Sequence, residues 1–420
     1  MQHTGSLKIA RPTRRQAIVG ALSACAAPGA PARSDGQFDT VLRAADALDQ
    51  LRAIVIAGPD GILAERAVRG PGLDRPANVK SVSKTIVALL TGIVIARGAL
   101  PGVGATLGEV APSLIPPNAD PRVAEIRLAD LLTMQARLER TSGANYGGWI
   151  ASPDWVADAL SRPMVAEPGA RFLYSTGSFH VLGAVLAEAT GQTLLALARD
   201  WLGDPVGIEI PAWTRDPQGR FLGGNNMALT PRALARIGQC VLAGGRWQGR
   251  AVIPGAWLAR SWQARTRSPW SGHAYGYGWF LAELGGEPVR YARGYGGQML
   301  YVLPDRGLTV AITSDTAGPE RGILLGAQPA PDRGDPAGAR LSRRGMSQLR
   351  VARRIEPTGH GRLRLSTHET NLAAVRALAP IRGGAPPESD PPAAPPSSAR
   401  PGPLRIWGKP ESHCCATRTC

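Results

Sequence analysis

Ser81-Val82-Ser83-Lys84 sets a hydroxyl and an amine three residues apart at the head of the apolar periodic run Thr85–Ala96. If that run is a helix, both side chains lie on one face, one turn apart. A serine hydroxyl is a poor nucleophile until a neighbour accepts its proton, and the helix N-terminus favours negative charge developing nearby. A lysine can be that neighbour where burial or other cations favour its neutral form, whereas arginine keeps its proton near neutral pH. Of the 48 basic side chains only Lys8, Lys80, Lys84 and Lys409 are lysine. A chain that uses arginine almost everywhere has little surface reason to keep Lys84. The competing reading makes Ser81 a helix cap and Lys84 a solvated charge.

Two other stretches could join this chemistry. Tyr174-Ser175-Thr176-Gly177 precedes a helical pattern, and a phenol beside an ammonium group has its phenolate form favoured enough for proton transfer. Gly294-Tyr295-Gly296-Gly297-Gln298 lies in a strand-rich segment. Glycines weaken a strand unless another backbone or a ligand comes close, and a backbone N–H there could pair with that of Ser81 to bind an oxyanion. Without such partners Tyr174 reads as a core or capping residue and the glycines as a bulge.

The elements that must position these groups follow from periodicity. Leu51–Ala57 and Ile62–Val68 read as a hairpin about Gly58-Pro59-Asp60-Gly61. Helical patterns follow at Thr85–Ala96, Leu128–Met134, Trp155–Leu160, Ser178–Ala189, Leu194–Trp201, Pro231–Leu242 and Gly255–Trp262. Strands return at Tyr275–Glu283, Val289–Arg293, Gln298–Leu303 and Gly307–Thr313, the last two joined by a turn at Asp305-Arg306-Gly307. Strands at both ends with helices between them predict an α+β fold: a mainly antiparallel sheet flanked by helices, with an inserted all-helical lobe. The expected division is a sheet lobe of residues 39–80 and 265–317 and a helical lobe of 81–264, with a cleft at their boundary.

The termini differ in character. Thr13-Arg14-Arg15-Gln16 ahead of the short apolar stretch Ala17–Ala24 predicts a twin-arginine export signal over residues 1–32 and a periplasmic location. Leu22-Ser23-Ala24-Cys25 has the form of a lipoprotein box that would lipidate Cys25, and Ala30-Pro31-Ala32 that of ordinary signal cleavage. Membrane contact is expected only through such lipidation. From residue 318 to 420 periodicity fades and Pro, Gly and Arg accumulate, which reads as a disordered tail or as a frame-shifted or foreign extension. That tail carries about half of the formal net charge of +16, and no basic recognition helix or zinc-finger pattern occurs in the rest, so no nucleic-acid partner is expected. No cofactor or metal pattern is present either. His180 and His273 lie outside any H-E-x-x-H motif and read as structural or exposed, Cys240 reads as a small buried hydrophobe, and no G-x-S-x-G elbow exists.

Taken in order, Ser81-Val82-Ser83-Lys84, Leu131-Leu132-Thr133-Met134, Tyr174-Ser175-Thr176-Gly177, Gly276-Tyr277-Gly278-Trp279 and Gly294-Tyr295-Gly296-Gly297-Gln298 resemble the serine β-lactamase-related hydrolases. That group includes class C β-lactamases, D-Ala-D-Ala carboxypeptidases, esterases and 6-aminohexanoate-dimer hydrolases. The resemblance covers roughly Asp39 to Asp315. It implies an acylated Ser81, proton transfer shared by Lys84 and Tyr174, an oxyanion hole from the backbones of Ser81 and Gly297, and a small ester or amide substrate with no cofactor. It further implies substrate contacts from Tyr146, Thr176, Trp279, Tyr295 and Gly296.

The departures from the family pattern point to a branch. β-Lactamases and carboxypeptidases usually carry Tyr-x-Asn, where this chain has Thr176. Their third motif starts with Lys or His, where this chain has Gly294-Tyr295-Gly296 and only Arg293 as a neighbouring cation. These changes favour ester or short-amide hydrolysis over β-lactam hydrolysis. The alternatives are a β-lactamase or D-Ala-D-Ala carboxypeptidase, and a non-catalytic relative.

Overall fold

Eight antiparallel strands form the frame of the chain. They are β1 (Leu51–Gly58), β2 (Gly61–Ala67), β3 (Thr266–Arg267), β4 (Ala274–Tyr275), β5 (Phe280–Leu284), β6 (Glu287–Gly294), β7 (Gln298–Leu303) and β8 (Leu308–Ser314), in the spatial order β2-β1-β8-β7-β6-β5-β4-β3. The N-terminal hairpin therefore closes onto the last strand, with Ile54 opposite Ile312 and Ile56 opposite Val310. In β1 and β8 nearly every successive residue is buried. Because side chains alternate between faces, this means both faces of the sheet centre are covered. The computed structural model describes residues 36–166, 171–284 and 286–316. The expected export signal, Cys25 and the tail from residue 318 lie outside these residues.

The helices form where the sequence supplies both a stripe and a start. α1 (Asp39–Asp46), which the pattern reading passed over, buries Val41, Leu42 and Ala45 and packs on β1. α2 (Val82–Ala96) is apolar on all sides and is buried accordingly from Val82 to Val94. It packs against β6 and β7, and also against α3 (Thr176–Thr190) of the helical region. α4 (Pro231–Leu242) begins where Thr230 accepts from the Ala233 N–H and Pro231 fills the first turn.

Two expectations need correction. α4 was assigned to the helical lobe, yet it lies on β1, β7 and β8, with Gln239 Nε2 donating to the Gly58 carbonyl at 2.7 Å. Its apolar stripe, with Leu234, Ile237 and Val241 buried, covers the sheet, so the sheet portion recruits a helix from the middle of the chain. The strand expected over Tyr275–Glu283 is also broken into β4 and β5 by Gly276-Tyr277-Gly278-Trp279. Gly278 has φ +75°, and a Cβ there would lie 2.6 Å from the Ala88 Cβ. Thr85 Oγ1 donates to its carbonyl at 2.6 Å. This turn seats α2 rather than extending a strand.

α5 (Gly255–Ser261) reaches α2 through Trp257, which fits only because Gly92 has no side chain: a Cβ there would stand 2.2 Å from the indole Cγ. Gly92→Ala should therefore destabilise the chain by about 1–3 kcal/mol through overpacking, despite alanine's better helix propensity. Chemical denaturation would read this as a lower midpoint, and an unchanged or raised midpoint would contradict the packing described.

Candidate active site

Ser81 stands at the entry to α2 with its backbone already helical (φ −71°, ψ −4°), and its side chain makes no capping hydrogen bond. The hydroxyl is therefore not spent on the helix end. One turn on, Lys84 is 2 % exposed, and its Nζ donates to Ser81 Oγ at 3.0 Å, to Thr176 Oγ1 at 3.2 Å and to the Gly224 carbonyl. The Tyr174 ring lies 4.9 Å from the same nitrogen. Burial lowers the Lys84 pKa from 10.5 to about 7, because removing the ammonium from water penalises its charged form. An amine of that acidity can hold or release a proton at neutral pH.

The surroundings explain why the pair is held so closely. Ser83 Oγ donates to the Lys80 carbonyl at 2.6 Å and accepts from the Met227 N–H at 3.0 Å. The Val79 N–H donates to the Met227 carbonyl, beside the short ladder of Ala77–Asn78 with Ala228–Leu229. Lys80 is in the left-handed region (φ 52°), and Asn78 Oδ1 receives its N–H at 2.9 Å. The chain before Ser81 and the chain at 224–229 thus brace each other. His180 and Asp216 add support from below. His180 is fully buried, contacts Asp216 Oδ2 through Nε2 at 3.1 Å and accepts from the Gly223 N–H at 3.4 Å. His273 pairs with the Tyr291 hydroxyl at 2.8 Å. Both histidines have structural partners, as read from the sequence.

On the helical side, Thr176 and its neighbours are latched to the loop at 141–142. Ser142 Oγ receives the Thr176 N–H at 2.8 Å and lies 2.9 Å from Thr176 Oγ1, and Thr141 Oγ1 receives the Gly177 N–H at 2.7 Å. These two side chains satisfy backbone donors at the start of α3 that would otherwise be orphaned. Tyr146 accepts from Asn225 Nδ2 at 3.0 Å. Burial raises its phenol pKa, against the opposing effect of the Asn225 hydrogen bond, so the group stays protonated.

A cavity of about 400 Å³ opens over Ser81, lined by Tyr146, Tyr174, Thr176, Asn225, Phe280 and the stretch Arg293-Gly294-Tyr295, among others. Its rim is aromatic: Trp270, 41 % exposed, meets Tyr174 edge-on at 6.0 Å, and Tyr295 is 39 % exposed. Of the residues singled out in the sequence, Ser81, Lys84, Tyr174, Thr176, Tyr146 and Tyr295 gather at this site.

Trp279, Gly296 and Gly297 do not. Trp279 is fully buried and packs edge-on against Trp262 at 6.4 Å, so the expected substrate contact is a core residue instead. A Cβ on Gly296 would meet the Asp315 carbonyl at 2.9 Å, so this glycine packs closely against the chain just beyond β8. The Gly297 carbonyl accepts from Ser314 Oγ at 3.1 Å on β8. Gly294 lines the cavity with Ser81, and a Cβ on it would lie 2.3 Å from the Val79 carbonyl. Sequence reasoning also passed over Ser142, Gly224, Asn225 and Arg140. None sits in a spaced motif, and only the polar run Arg140-Thr141-Ser142 ahead of Tyr146 gave a local signal.

The beta-lactamase family profile matches residues 61–328, and the chain belongs to that family of hydrolases. Solved structures place the same fold elsewhere. The hydrolase EstCE1, with promiscuous acyltransferase activity, is 18% identical with a TM-score of 0.56 over 67% of this chain and 94% of its own. A D-stereospecific amidohydrolase from Streptomyces sp. is 18% identical with a TM-score of 0.52 over 67% of this chain and 94% of its own. A protein assigned as a 6-aminohexanoate-dimer hydrolase from Bacillus anthracis is 18% identical with a TM-score of 0.54 over 65% of this chain and 76% of its own. At such identities the likeness concerns the fold. No curated protein sequence matches the chain.

Proposed function

We propose that this chain is a serine hydrolase that cleaves an ester or short amide through an acyl-enzyme on Ser81. The observation that carries the reading is the 3.0 Å contact between Ser81 Oγ and a buried Lys84 whose pKa is lowered to about 7. In this reading the neutral Lys84 amine takes the Ser81 proton as Oγ attacks the substrate carbonyl. Backbone N–H groups at Ser81 and at the Gly294-Tyr295 stretch receive the oxyanion, a role the sequence had placed at Gly297. The proton then passes to the leaving alcohol or amine, with Tyr174 beside the amine as the relay. Water, losing its proton to the same pair, releases the acid and restores Ser81. The esterase and amidohydrolase folds above support this branch, as does Thr176 in place of an asparagine. The twin arginine at Arg14-Arg15 supports a location outside the cytoplasm as part of this reading.

A fluorophosphonate probe followed by mass spectrometry tests the reading: the adduct should lie on Ser81. Labelling should accelerate with pH and reach half its limit near 7, because below that value Lys84 is protonated and cannot accept. Absence of a Ser81 adduct on folded protein would favour a non-catalytic relative. Parallel assays with p-nitrophenyl acetate and nitrocefin separate the branches, and rapid nitrocefin turnover would move the assignment to β-lactamase.

A further inference from the structure

Lys84 Nζ is in hydrogen-bond contact with three oxygens, those of Ser81, Thr176 and Gly224. An ammonium has three hydrogens for them, and a neutral amine has two and a lone pair. With the lone pair turned to the Ser81 hydroxyl, the amine still donates to Thr176 Oγ1. Among the described residues Thr176 Oγ1 has one other hydrogen-bonding neighbour, Ser142 Oγ at 2.9 Å, so the Thr176 hydrogen goes there. Ser142 Oγ also receives the Thr176 N–H at 2.8 Å. Both of its lone pairs are thus taken, and its own hydrogen must point elsewhere. The place open to it is the cavity, which Ser142 lines together with Ser81 and Thr176. Thr141, its neighbour, shows what a hydroxyl that only caps the helix does. It is buried, receives the Gly177 N–H at 2.7 Å, lies 3.2 Å from Ser175 Oγ and does not line the cavity.

We infer that Thr176 and Ser142 form a second proton path beside Tyr174, in which Ser142 Oγ meets the leaving group and Thr176 links it to Lys84. This rests on the acyl-enzyme reading above and adds a catalytic residue, Ser142, to it. In acylation the Lys84 ammonium, having taken the Ser81 proton, gives a proton to Thr176 Oγ1 as the Thr176 hydrogen passes to Ser142 Oγ and the Ser142 hydrogen to the departing oxygen or nitrogen. Each hydroxyl gains one proton and loses one. The bond to the leaving atom breaks with its electron pair going to that atom, and the amine is neutral again. The hydrogens now point inward, from Ser142 to Thr176 and from Thr176 to Lys84, and a Ser142 lone pair faces the cavity. That is the polarity hydrolysis needs. As water attacks the acyl carbon its proton passes to Ser142, the Ser142 hydrogen to Thr176 and the Thr176 hydrogen to Lys84, which protonates Ser81 Oγ as the acyl bond breaks. The cycle ends with every hydrogen in its first orientation.

Acetates that differ in leaving group provide the test. p-Nitrophenoxide departs without a proton, phenoxide less readily, and ethoxide scarcely at all. Ser142→Ala in the full-length protein should therefore lower kcat/KM for ethyl acetate relative to p-nitrophenyl acetate by about tenfold or more, with phenyl acetate between them. Thr176→Val, which keeps the backbone N–H that Ser142 receives, should shift the ratio in the same direction. Because the two hydroxyls act in series, the double variant should shift it no further than the larger single effect. Ser142→Thr, which keeps a hydroxyl, should restore most of the ratio.

A role confined to holding the start of α3 would lower all three esters alike and leave the ratio in place. A ratio that either substitution leaves unchanged, or single effects that multiply in the double variant, overturns the inference while the hydrolase reading stands on its probe adduct at Ser81. Wild-type protein that takes the probe on Ser81 yet turns over none of the three acetates overturns it too. Absence of both adduct and turnover removes the inference and the hydrolase reading together.

Discussion

Lys84→Arg lowers kcat/KM by about a thousandfold or more, nearly as much as Ser81→Ala, although it preserves the positive charge. The reason lies in what each side chain can do with a proton. Lys84 Nζ sits 3.0 Å from the Ser81 hydroxyl at a pKa of about 7, so a large share of the molecules hold a neutral amine ready to accept. A guanidinium in the same place stays charged and can only donate. Loss of a general base costs roughly a hundred- to ten-thousandfold, and the added bulk in a fully enclosed site pushes the loss toward the upper end. Ser81→Ala removes the proposed nucleophile itself and should leave only what binding and oxyanion stabilisation achieve. Steady-state kinetics on p-nitrophenyl acetate, with circular dichroism to confirm folding, decides the matter. Activity close to wild type in Lys84→Arg would mean that position 84 needs a charge and not a base.

Lys84→Met should make the chain more stable while silencing it. In the unfolded chain the amine has its ordinary pKa of 10.5, and in the folded chain about 7. Between those values the unfolded state holds a proton that the folded state lacks, so this residue makes stability rise with pH. The penalty for burying it is complete below about pH 7 and disappears above about pH 10.5. At neutral pH it is on the order of 4 kcal/mol. Methionine fills similar space without it, but leaves Ser81, Thr176 and the Gly224 carbonyl without their donor. The expected net gain is about 1–3 kcal/mol at pH 7. The gap between variant and wild type should narrow as the pH is raised toward 10. Equal denaturation midpoints at pH 7, or a gap that pH leaves untouched, would show that Lys84 is not buried as an amine.

The sequence carried the parts of this architecture that rest on strong local signals. Pro231–Leu242 starts on Thr-Pro and has a clear apolar stripe, and Gln298–Leu303 is a short aliphatic run with glycines before it; both elements form over the residues read from the pattern. Where those signals are ambiguous, long-range packing decides. Gly276-Tyr277-Gly278-Trp279 looked like strand because Tyr and Trp favour strands, yet the approach of Ala88 and Thr85 folds it into a turn. At the site, the spacing of Ser81 and Lys84 was legible because a single helix sets it. The contacts of Lys84 with Thr176 and the Gly224 carbonyl join residues far apart in the chain, and no one-dimensional pattern records such a meeting.

Hydroxyl and amine ride on the same helix, whereas the cover over the amine comes from elsewhere: Thr176 on α3, and the loop at Gly224. Their separation is thus a property of one rigid rod, and the amine's acid strength is a property of the enclosure. Any parting of α3 or of the 224 loop from α2 would admit water and restore the amine's ordinary affinity for a proton without moving it from the serine. An open molecule would keep its parts in register and yet be chemically dormant, and activity would return only as the site dried.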